Sequence, residues 1–460
     1  MSDWTLCIDF GTAFSKAAAA PTGAWSRFEP ASVRPLRLSQ HDARGNAFLL
    51  DSAVFVDDGR ILFGRSAIAR ADALGGKKRS ALKSFKTLLS VSDLDRALNT
   101  NAPLSIDPHR LFQMRDLIVL YLAYLLAAIE KARALDPMIR GRITRRYAAP
   151  AWRGADSAGL HGTVVKLFGE AEAFRTQAGE ALLSDAGLDI DAVVKALPIA
   201  MEGAQPLDMG LIYEATAAAA YTSIGLDDSA SHLLVVDMGA GTTDIAALAR
   251  IGNRMFELPE ARATLKQAGD FIDRVIANRA LDAAKWAKTT DQKAGLWAEL
   301  MRGMRDTKET LFAEGRASVR YRDHIFTMGL RDVERDKDYQ AFAKELKASY
   351  EHCVAVVRDD ASARGRSAIE AVAVGGGAAA PFIQALIASK NTRGARPRVT
   401  PRPATPDWAH AAEFGGNLAP VFPQLAIAIG GALAPDSMLA ARGTTSPVAG
   451  ARTGSPATRD

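Results

Sequence analysis

One stretch of the chain places two carboxylates beside small residues in a pattern that suits phosphate and metal chemistry. The apolar run 233–236 predicts a buried strand and leads into Asp237-Met238-Gly239-Ala240-Gly241-Thr242-Thr243-Asp244. Glycine allows close backbone approach, so the N–H groups of such a turn can wrap a phosphate. The two aspartates could hold a hydrated Mg²⁺, which favours a few carboxylates together with substrate phosphates. A plain glycine-rich hairpin with an aspartate at each end is the alternative, and a second such turn decides between them.

The same pattern occurs at the start of the chain. Residues 5–8 predict a strand that ends in Asp9, the turn Gly11-Thr12-Ala13 follows, and residues 17–20 predict a returning strand. The two copies lie about half a chain apart. We therefore expect two similar halves that face one another, each presenting a phosphate-binding hairpin.

A third glycine-rich stretch follows the apolar run 369–374. Gly375, Gly376 and Gly377 lead into a predicted helix that begins near Phe382. A glycine corner before a helix lets a ligand approach both the backbone and the positive helix N-terminus. This stretch predicts a nucleotide site, with a plain strand-to-helix corner as the alternative.

The elements around these stretches predict an α/β protein. A long amphipathic helix is predicted over 111–134, and 157–187 is largely helical, whereas 189–210 is expected to be irregular. Helices predicted to end near residues 287 and 313 form a lid-like group, and a closing helix with small residues spans 425–433.

The composition is that of an ordinary globular chain. Its 460 residues are 48% hydrophobic and 24% charged, which suits two domains or one large bilobed domain. The two cysteines, Cys7 and Cys353, argue against a disulfide framework and fit a reducing cytoplasm. No signal-peptide pattern or membrane-length apolar run is visible, so we expect a cytoplasmic protein without membrane association. The basic clusters behind the net charge of +5 lack interleaved aromatics, so no nucleic-acid partner is expected.

With these pieces in order, residues 5–435 resemble the nucleotide-binding domain of the actin, sugar-kinase and heat-shock-chaperone superfamily, and within it the heat shock protein 70 (Hsp70) family most. The resemblance implies an actin-like ATPase fold, in which duplicated ribonuclease H-like lobes enclose a nucleotide cleft. Only a short tail follows the closing helix, so the peptide-binding domain of a full-length chaperone is not expected.

The resemblance also implies domain boundaries. The expected units are a first lobe at 1–220 with an inserted subdomain at about 36–115 and an extra insertion at about 160–210, a second lobe at 221–436 with a helical subdomain at about 270–345, and a disordered tail at 437–460.

Roles for individual residues follow from the same resemblance. Asp9 and Asp237 are expected to hold Mg²⁺ through water, Lys86 to offset charge on the γ-phosphate, and Glu214 and Asp244 to orient the attacking water. The expected contacts to ATP or ADP come from the hairpins, the glycine corner and a ribose-contacting lysine: Gly11, Thr12, Ala13, Gly239, Ala240, Gly241, Thr242, Thr243, Gly269, Lys308, Gly375, Gly376 and Gly377. Such a set suits phosphoryl transfer, which needs positioning and charge neutralisation more than covalent chemistry.

Departures from the family pattern concentrate among the residues expected to contact the adenine base of the nucleotide. Arg305 and Glu309 invert the family's charges in the adenine-clasping helix, and Phe312 replaces a hydroxyl. Ala379 stands where an arginine stacks on adenine, and Ala13 replaces a second threonine of the first hairpin.

The resemblance implies an ATP-binding, chaperone-like protein, a slow Mg-dependent ATPase whose lobe closure controls a protein partner or co-chaperone. Three alternatives stay open, because a fold does not fix a function. They are a nucleotide-gated adaptor or scaffold with weak catalysis, which the altered base pocket motivates, an actin-like filament former and a small-molecule kinase. The alanine-rich run after Glu214 favours the chaperone-like branch.

Overall fold

The computed structural model of the protein describes most of the chain. The described residues are 3–39, 46–74, 79–83, 85, 91, 93–150, 157–224, 230–251, 254–321, 323–388, 397–414 and 416–440. Lys86 and residues 441–460 of the expected tail lie outside these ranges. Within them, no helix is both long and apolar enough to cross a bilayer.

The described ranges form sixteen strands and thirteen helices. The strands are β1 (Trp4–Asp9), β2 (Phe14–Pro21), β3 (Arg34–Pro35), β4 (Leu50–Asp51), β5 (Val54–Val56), β6 (Arg60–Phe63), β7 (Ile143–Ala149), β8 (Leu188–Asp189), β9 (Met209–Tyr213), β10 (Ala230–Met238), β11 (Thr243–Ile251), β12 (Arg254–Leu265), β13 (Arg316–Tyr321), β14 (His324–Gly329), β15 (Ala368–Val374) and β16 (Arg398–Arg402). The helices are α1 (Gly64–Ala73), α2 (Leu94–Leu98), α3 (Met114–Leu135), α4 (Ser157–Ala178), α5 (Ile190–Glu202), α6 (Glu214–Thr222), α7 (Gly269–Ala283), α8 (Thr290–Arg302), α9 (Met304–Glu314), α10 (Leu330–Glu334), α11 (Lys337–Ala363), α12 (Pro381–Ile387) and α13 (Phe422–Leu433).

The two large sheets have the same strand order and the same strand directions. The first runs β3-β2-β1-β7-β9, with β4 paired to β2 beside this path, and the second runs β12-β11-β10-β15-β16. In each sheet, the first three strands pair antiparallel and the last three pair parallel. The structure therefore confirms the predicted α/β class.

Burial on both faces explains why the central strands appear in the sequence as continuous apolar runs. Every residue of β1 is buried, and so are residues 17–20 of β2 and 233–236 of β10. Strands that are covered on both sides need no alternation of polar and apolar residues.

Helix α13 joins elements of both sheets. A Cβ added at Gly430 would collide with the Ala217 carbonyl of α6, and one at Gly431 would collide with the Cys7 sulfur of β1, so the glycines permit close packing. Buried Arg146 on β7 donates to the carbonyl oxygens of Gly431 (3.0 Å) and Ala434 (2.6 Å). Because carbonyls at a helix end lack intrahelical partners, the arginine caps α13 and ties it to the first sheet.

Three sequence expectations need correction. The long helix predicted from residue 111 begins at Met114, because the Asp116 carboxylate accepts a hydrogen bond from the Gln113 N–H and fixes the start. The stretch 189–210, expected to be irregular, contains α5, whose start is capped by the Asp189 carboxylate. Residues 437–440, placed at the start of the tail, are ordered, since the Ala440 N–H donates to the Leu211 carbonyl (3.0 Å).

Candidate nucleotide and metal site

An ion pair closes the first hairpin. Asp9 at the end of β1 stands directly opposite Lys16 on β2, and Lys16 Nζ lies 2.8 Å from Asp9 Oδ2. The Asp9 side chain is 2% exposed and that of Lys16 is 13% exposed. Lys16 was not among the predicted site residues, although the antiparallel register places it opposite Asp9. A lysine at this position can offset charge on Asp9 and on a bound phosphate.

The turn of the first hairpin requires glycine and has fixed carbonyl groups. A Cβ at Gly11 would collide with the Phe14 carbonyl. Ser52 binds the turn twice, because its hydroxyl donates to the Gly11 carbonyl (2.9 Å) and its N–H to the Ala13 carbonyl (2.9 Å). Thr12 is half-buried and Ala13 is exposed, so both predicted contact residues are accessible from solvent.

The second hairpin carries two carboxylates at the corresponding positions. Asp237 on β10 stands directly opposite Asp244 on β11. Like charges that face each other across a hairpin repel, and a cation between them would relieve that repulsion. The two oxygens of Asp244 accept hydrogen bonds from the Thr242 hydroxyl (2.8 Å) and the Thr264 hydroxyl (2.6 Å), which fixes this carboxylate.

The two predicted threonine contacts of this hairpin differ in accessibility. Thr242 and its neighbour Gly241 are half-buried, whereas Thr243 is fully buried. The Thr243 hydroxyl donates to the Gln267 carbonyl (2.8 Å). Its side chain is therefore used inside the fold, and only its backbone remains as a possible ligand contact.

The glycine corner packs directly on the second hairpin. Gly375 has a φ of +84°, and a Cβ there would collide with Asp237 Oδ1 and the Met238 carbonyl. The Gly377 N–H donates to the Met238 carbonyl (2.9 Å), and the Gly375 N–H donates to the Pro423 carbonyl (2.8 Å) of α13. Gly376 is exposed. The glycine corner thus packs directly against the Asp237 carboxylate, with no room for a side chain at Gly375.

The loop before α7 also lies against the second hairpin. The N–H groups of Gly269 and Asp270 donate to the carbonyls of Gly239 (3.2 Å) and Ala240 (2.8 Å). Lys308 on α9 completes this group, with its Nζ 3.4 Å from the Gly269 carbonyl and 2.7 Å from an oxygen of Asp273. Burial, and then the neighbouring Asp273 charge, raise the pKa of Asp270 above its ordinary value.

Glu214 begins helix α6 and is 5% exposed. A carboxylate in the first helical turn is favoured by the positive end of the helix dipole. Burial raises the pKa of the Cys7 thiol to about 12, and the charges of Asp9 and Glu214 add to this shift. Asp9 and Glu214 therefore both contribute to the electrostatic environment of Cys7.

Helix α9 contacts the first hairpin and the loop that packs on the second. Lys308 lies at the second hairpin, and the Arg305 guanidinium lies 4.9 Å from the ring centroid of Phe14, at the start of β2 in the first. Arg305 also pairs with Glu309 at 2.9 Å. The charge of Arg305 is apparent from the sequence, whereas its aromatic partner is not, because that contact depends on how the two halves meet.

The residue before Lys86 is well fixed, although Lys86 itself lies outside the described residues. Phe85 is fully buried and its ring stacks on Tyr121, with the ring centroids 4.7 Å apart. The prediction for Lys86 stays a prediction.

The carboxylates of the two hairpins have the donor chemistry that suits a hydrated Mg²⁺. No group of three or more His, Cys, Asp or Glu residues that could hold a metal occurs in the part of the chain that the structure describes. Mg²⁺ usually keeps several waters and binds one or two carboxylates with substrate phosphates. Asp237, which faces Asp244 beside the glycine corner, and Asp9 at the corresponding position of the first hairpin would provide the carboxylates for such an ion.

Comparison with protein families adds one finding to this geometry. Residues 204–404 match the family described as Hsp70 protein. The matched segment includes Glu214, the second hairpin, Gly269, Lys308 and the glycine corner, whereas the first hairpin precedes it. No match was found among curated proteins.

Proposed function

Residues 204–404 carry the Hsp70-family match, and from this premise we propose that the chain is an ATP-binding protein of the chaperone type. The observation that carries the proposal is the packing of the glycine corner and the loop at Gly269 onto the second hairpin beside Asp237. Three separate glycine-containing segments thereby lie around one pair of carboxylates.

We further propose that the fold is that of actin-like ATPases, with two related lobes. The shared strand order and directions of the two large sheets support this, and so does the placement of Asp9 and Asp237 at corresponding hairpins. The first lobe then spans 1–220, with insertions at about 36–115 and 160–210. The second spans 221–436, with its helical subdomain at about 270–345.

The proposed reaction is slow hydrolysis of ATP, and each site residue has a role in it. Bound Mg²⁺ would neutralise charge on the phosphates. Asp237 and Asp9 would hold the waters of that ion, while Lys86 and Lys16 would offset phosphate charge. Glu214 and Asp244 orient the attacking water, and the backbone of the hairpins and of Gly375–Gly377 binds the nucleotide. Closure of the two lobes would then signal to a protein partner.

A matched pair of variants tests the proposal. Asp237→Asn removes one carboxylate at the hairpin, while Asp282→Asn removes an exposed carboxylate from α7. We expect Asp237→Asn to lose most Mg-ATP binding and phosphate release, and Asp282→Asn to match the wild type. Phosphate release that is equal in all three proteins would overturn the proposed site.

A second candidate function is a nucleotide-gated adaptor without significant turnover. The altered residues of the expected adenine pocket favour this function. Phe312 packs edge-on against Phe382 with ring centroids 6.2 Å apart, and Ala379 is exposed. Titration calorimetry followed by a sensitive phosphate-release assay separates the two. ATP binding with no release of phosphate supports the adaptor, and release that depends on Asp237 supports the ATPase.

A further inference from the structure

Three buried hydroxyl groups form a cluster beneath the first hairpin. The Tyr121 hydroxyl lies 2.9 Å from Ser15 Oγ and 3.1 Å from Ser52 Oγ, and the two serine oxygens are 3.1 Å apart. Each of the three residues is at most 2% exposed. Buried hydroxyls are costly unless they bind one another or the backbone, so their positions are mutually constrained.

Ser52 transmits this constraint to the turn. Its hydroxyl donates to the Gly11 carbonyl and its N–H donates to the Ala13 carbonyl, both at 2.9 Å. In a trans peptide the N–H points away from the carbonyl. Fixing these two carbonyls therefore turns the N–H groups of Thr12 and Phe14 toward the opposite side, where a phosphate could accept from them.

The Tyr121 ring has a second set of contacts. It stacks on Phe85 with an interplanar angle of 14° and on Phe10 with centroids 5.7 Å apart. Phe10 follows Asp9 in the chain, and Phe85 precedes Lys86. The Tyr121 side chain, in the middle of α3, thus contacts the residues that adjoin Asp9 and Lys86 in the sequence.

We propose that Tyr121 is a positioning residue for the nucleotide phosphates. Its hydroxyl sets the orientation of the first hairpin through Ser15 and Ser52, and its ring sets the position of Phe85 relative to that hairpin. It touches no substrate itself. This inference rests on the proposed function, because it assumes that the first hairpin binds phosphate.

Two tyrosine variants on one helix test the inference. Tyr121→Phe keeps the stacked ring and removes the hydroxyl. Tyr124→Phe is the matched control, because Tyr124 lies on the same helix and stacks on Phe63 (5.2 Å), while its ring contact toward the cluster is a tilted one with Tyr121 (6.2 Å). We expect Tyr121→Phe to weaken ATP binding roughly tenfold or more, since small displacements of binding groups are costly. Adenosine, measured by competition against a fluorescent nucleotide, should keep its wild-type affinity.

A second variant guards against simple misfolding. Ser52→Ala should reproduce the selective loss of ATP affinity while Tyr124→Phe does not show it. Equal losses for ATP and adenosine, or equal losses in the Tyr121 and Tyr124 variants, would show a merely structural role and overturn the inference. A wild-type protein that binds no Mg-ATP would instead overturn the proposed function.

Discussion

At the scale of single residues, the two hairpins differ in charge at one position. The residue that faces Asp9 is Lys16, whereas the residue that faces Asp237 is Asp244. The first pair is neutral by itself, and the second gains from a divalent cation. A divalent cation in the proposed site would therefore relieve repulsion at the second hairpin and not at the first.

Substitution of Lys16 should affect both stability and binding. In Lys16→Gln the buried Asp9 carboxylate loses its ion-pair partner, which we expect to lower the free energy of unfolding by about 3 kcal/mol. ATP affinity should also fall, because one positive charge leaves the phosphate site. Urea denaturation and calorimetry measure the two effects. Lys285→Gln, an exposed control, should change neither, and an unchanged stability of Lys16→Gln would show that the pair is not important.

The two cysteines should be unreactive in the folded protein. Burial raises the pKa of Cys7 to about 12 and that of Cys353 to about 11, so neither forms a thiolate near neutral pH. We expect alkylation by iodoacetamide at pH 8 to be slow in buffer and fast in urea, as followed by mass spectrometry. Rapid alkylation of either thiol in the native protein would contradict its burial.

The same thiols contribute to the pH dependence of stability. In the unfolded chain a cysteine deprotonates near pH 8.5, while the folded thiols stay protonated. The folded state therefore binds more protons between about pH 9 and 11, and stability should fall as pH rises through this window. A Cys353→Ala variant should lose part of this decline in urea titrations at several pH values. If the Cys353→Ala variant and the wild type showed the same dependence of stability on pH, the decline could not be assigned to the Cys353 thiol.

At the scale of elements, the apolar runs before Asp9 and Asp237 were sufficient to predict the two hairpins. The length of each turn determines which residue faces the aspartate. Lys16 could therefore have been predicted as the partner of Asp9, but it was not. Helix α5 was not predicted; it contains Pro198, and an internal proline usually argues against a helix. The role of Arg146 could not be predicted, because the carbonyls that it binds are more than half the chain away.

Arg146 is expected to stabilise the junction between the first sheet and α13. In Arg146→Met the carbonyls of Gly431 and Ala434 lose their buried donor, which should cost about 2–3 kcal/mol of folding stability. Arg146→Lys should recover part of this, since one ammonium can donate to both oxygens. Urea midpoints that are equal for the wild type and Arg146→Met would contradict the capping role.

At the scale of the whole molecule, helix α9 links the first hairpin to the loop that packs on the second. Lys308 contacts the loop on the second hairpin, and Arg305 lies over Phe14 of the first. Contacts of this kind, across two halves that are distant in sequence, depend on the relative placement of both sheets. For this reason the sequence indicated each hairpin and the glycine corner but not the contact that connects them.

The contact between Arg305 and Phe14 should slow nucleotide release. A cation–π pair at a partly exposed site contributes roughly 0.5–1 kcal/mol, so Arg305→Ala should speed release about two- to fivefold. Stopped-flow displacement of a fluorescent ATP analogue measures this rate. Arg302→Ala removes an exposed arginine that pairs with Glu299 on α8, and it should leave the rate unchanged. Equal rates in all three proteins would show that this contact does not restrain the cleft.

The most direct test of a magnesium-dependent nucleotide site is calorimetric titration of the wild-type protein with ATP, first with Mg²⁺ and then with a chelator. Asp237 and Asp244 face each other beside the glycine corner, so binding should be strong with Mg²⁺ and weaken by at least tenfold without it. ATP binding of equal strength in both titrations, or no binding in either, would contradict the site.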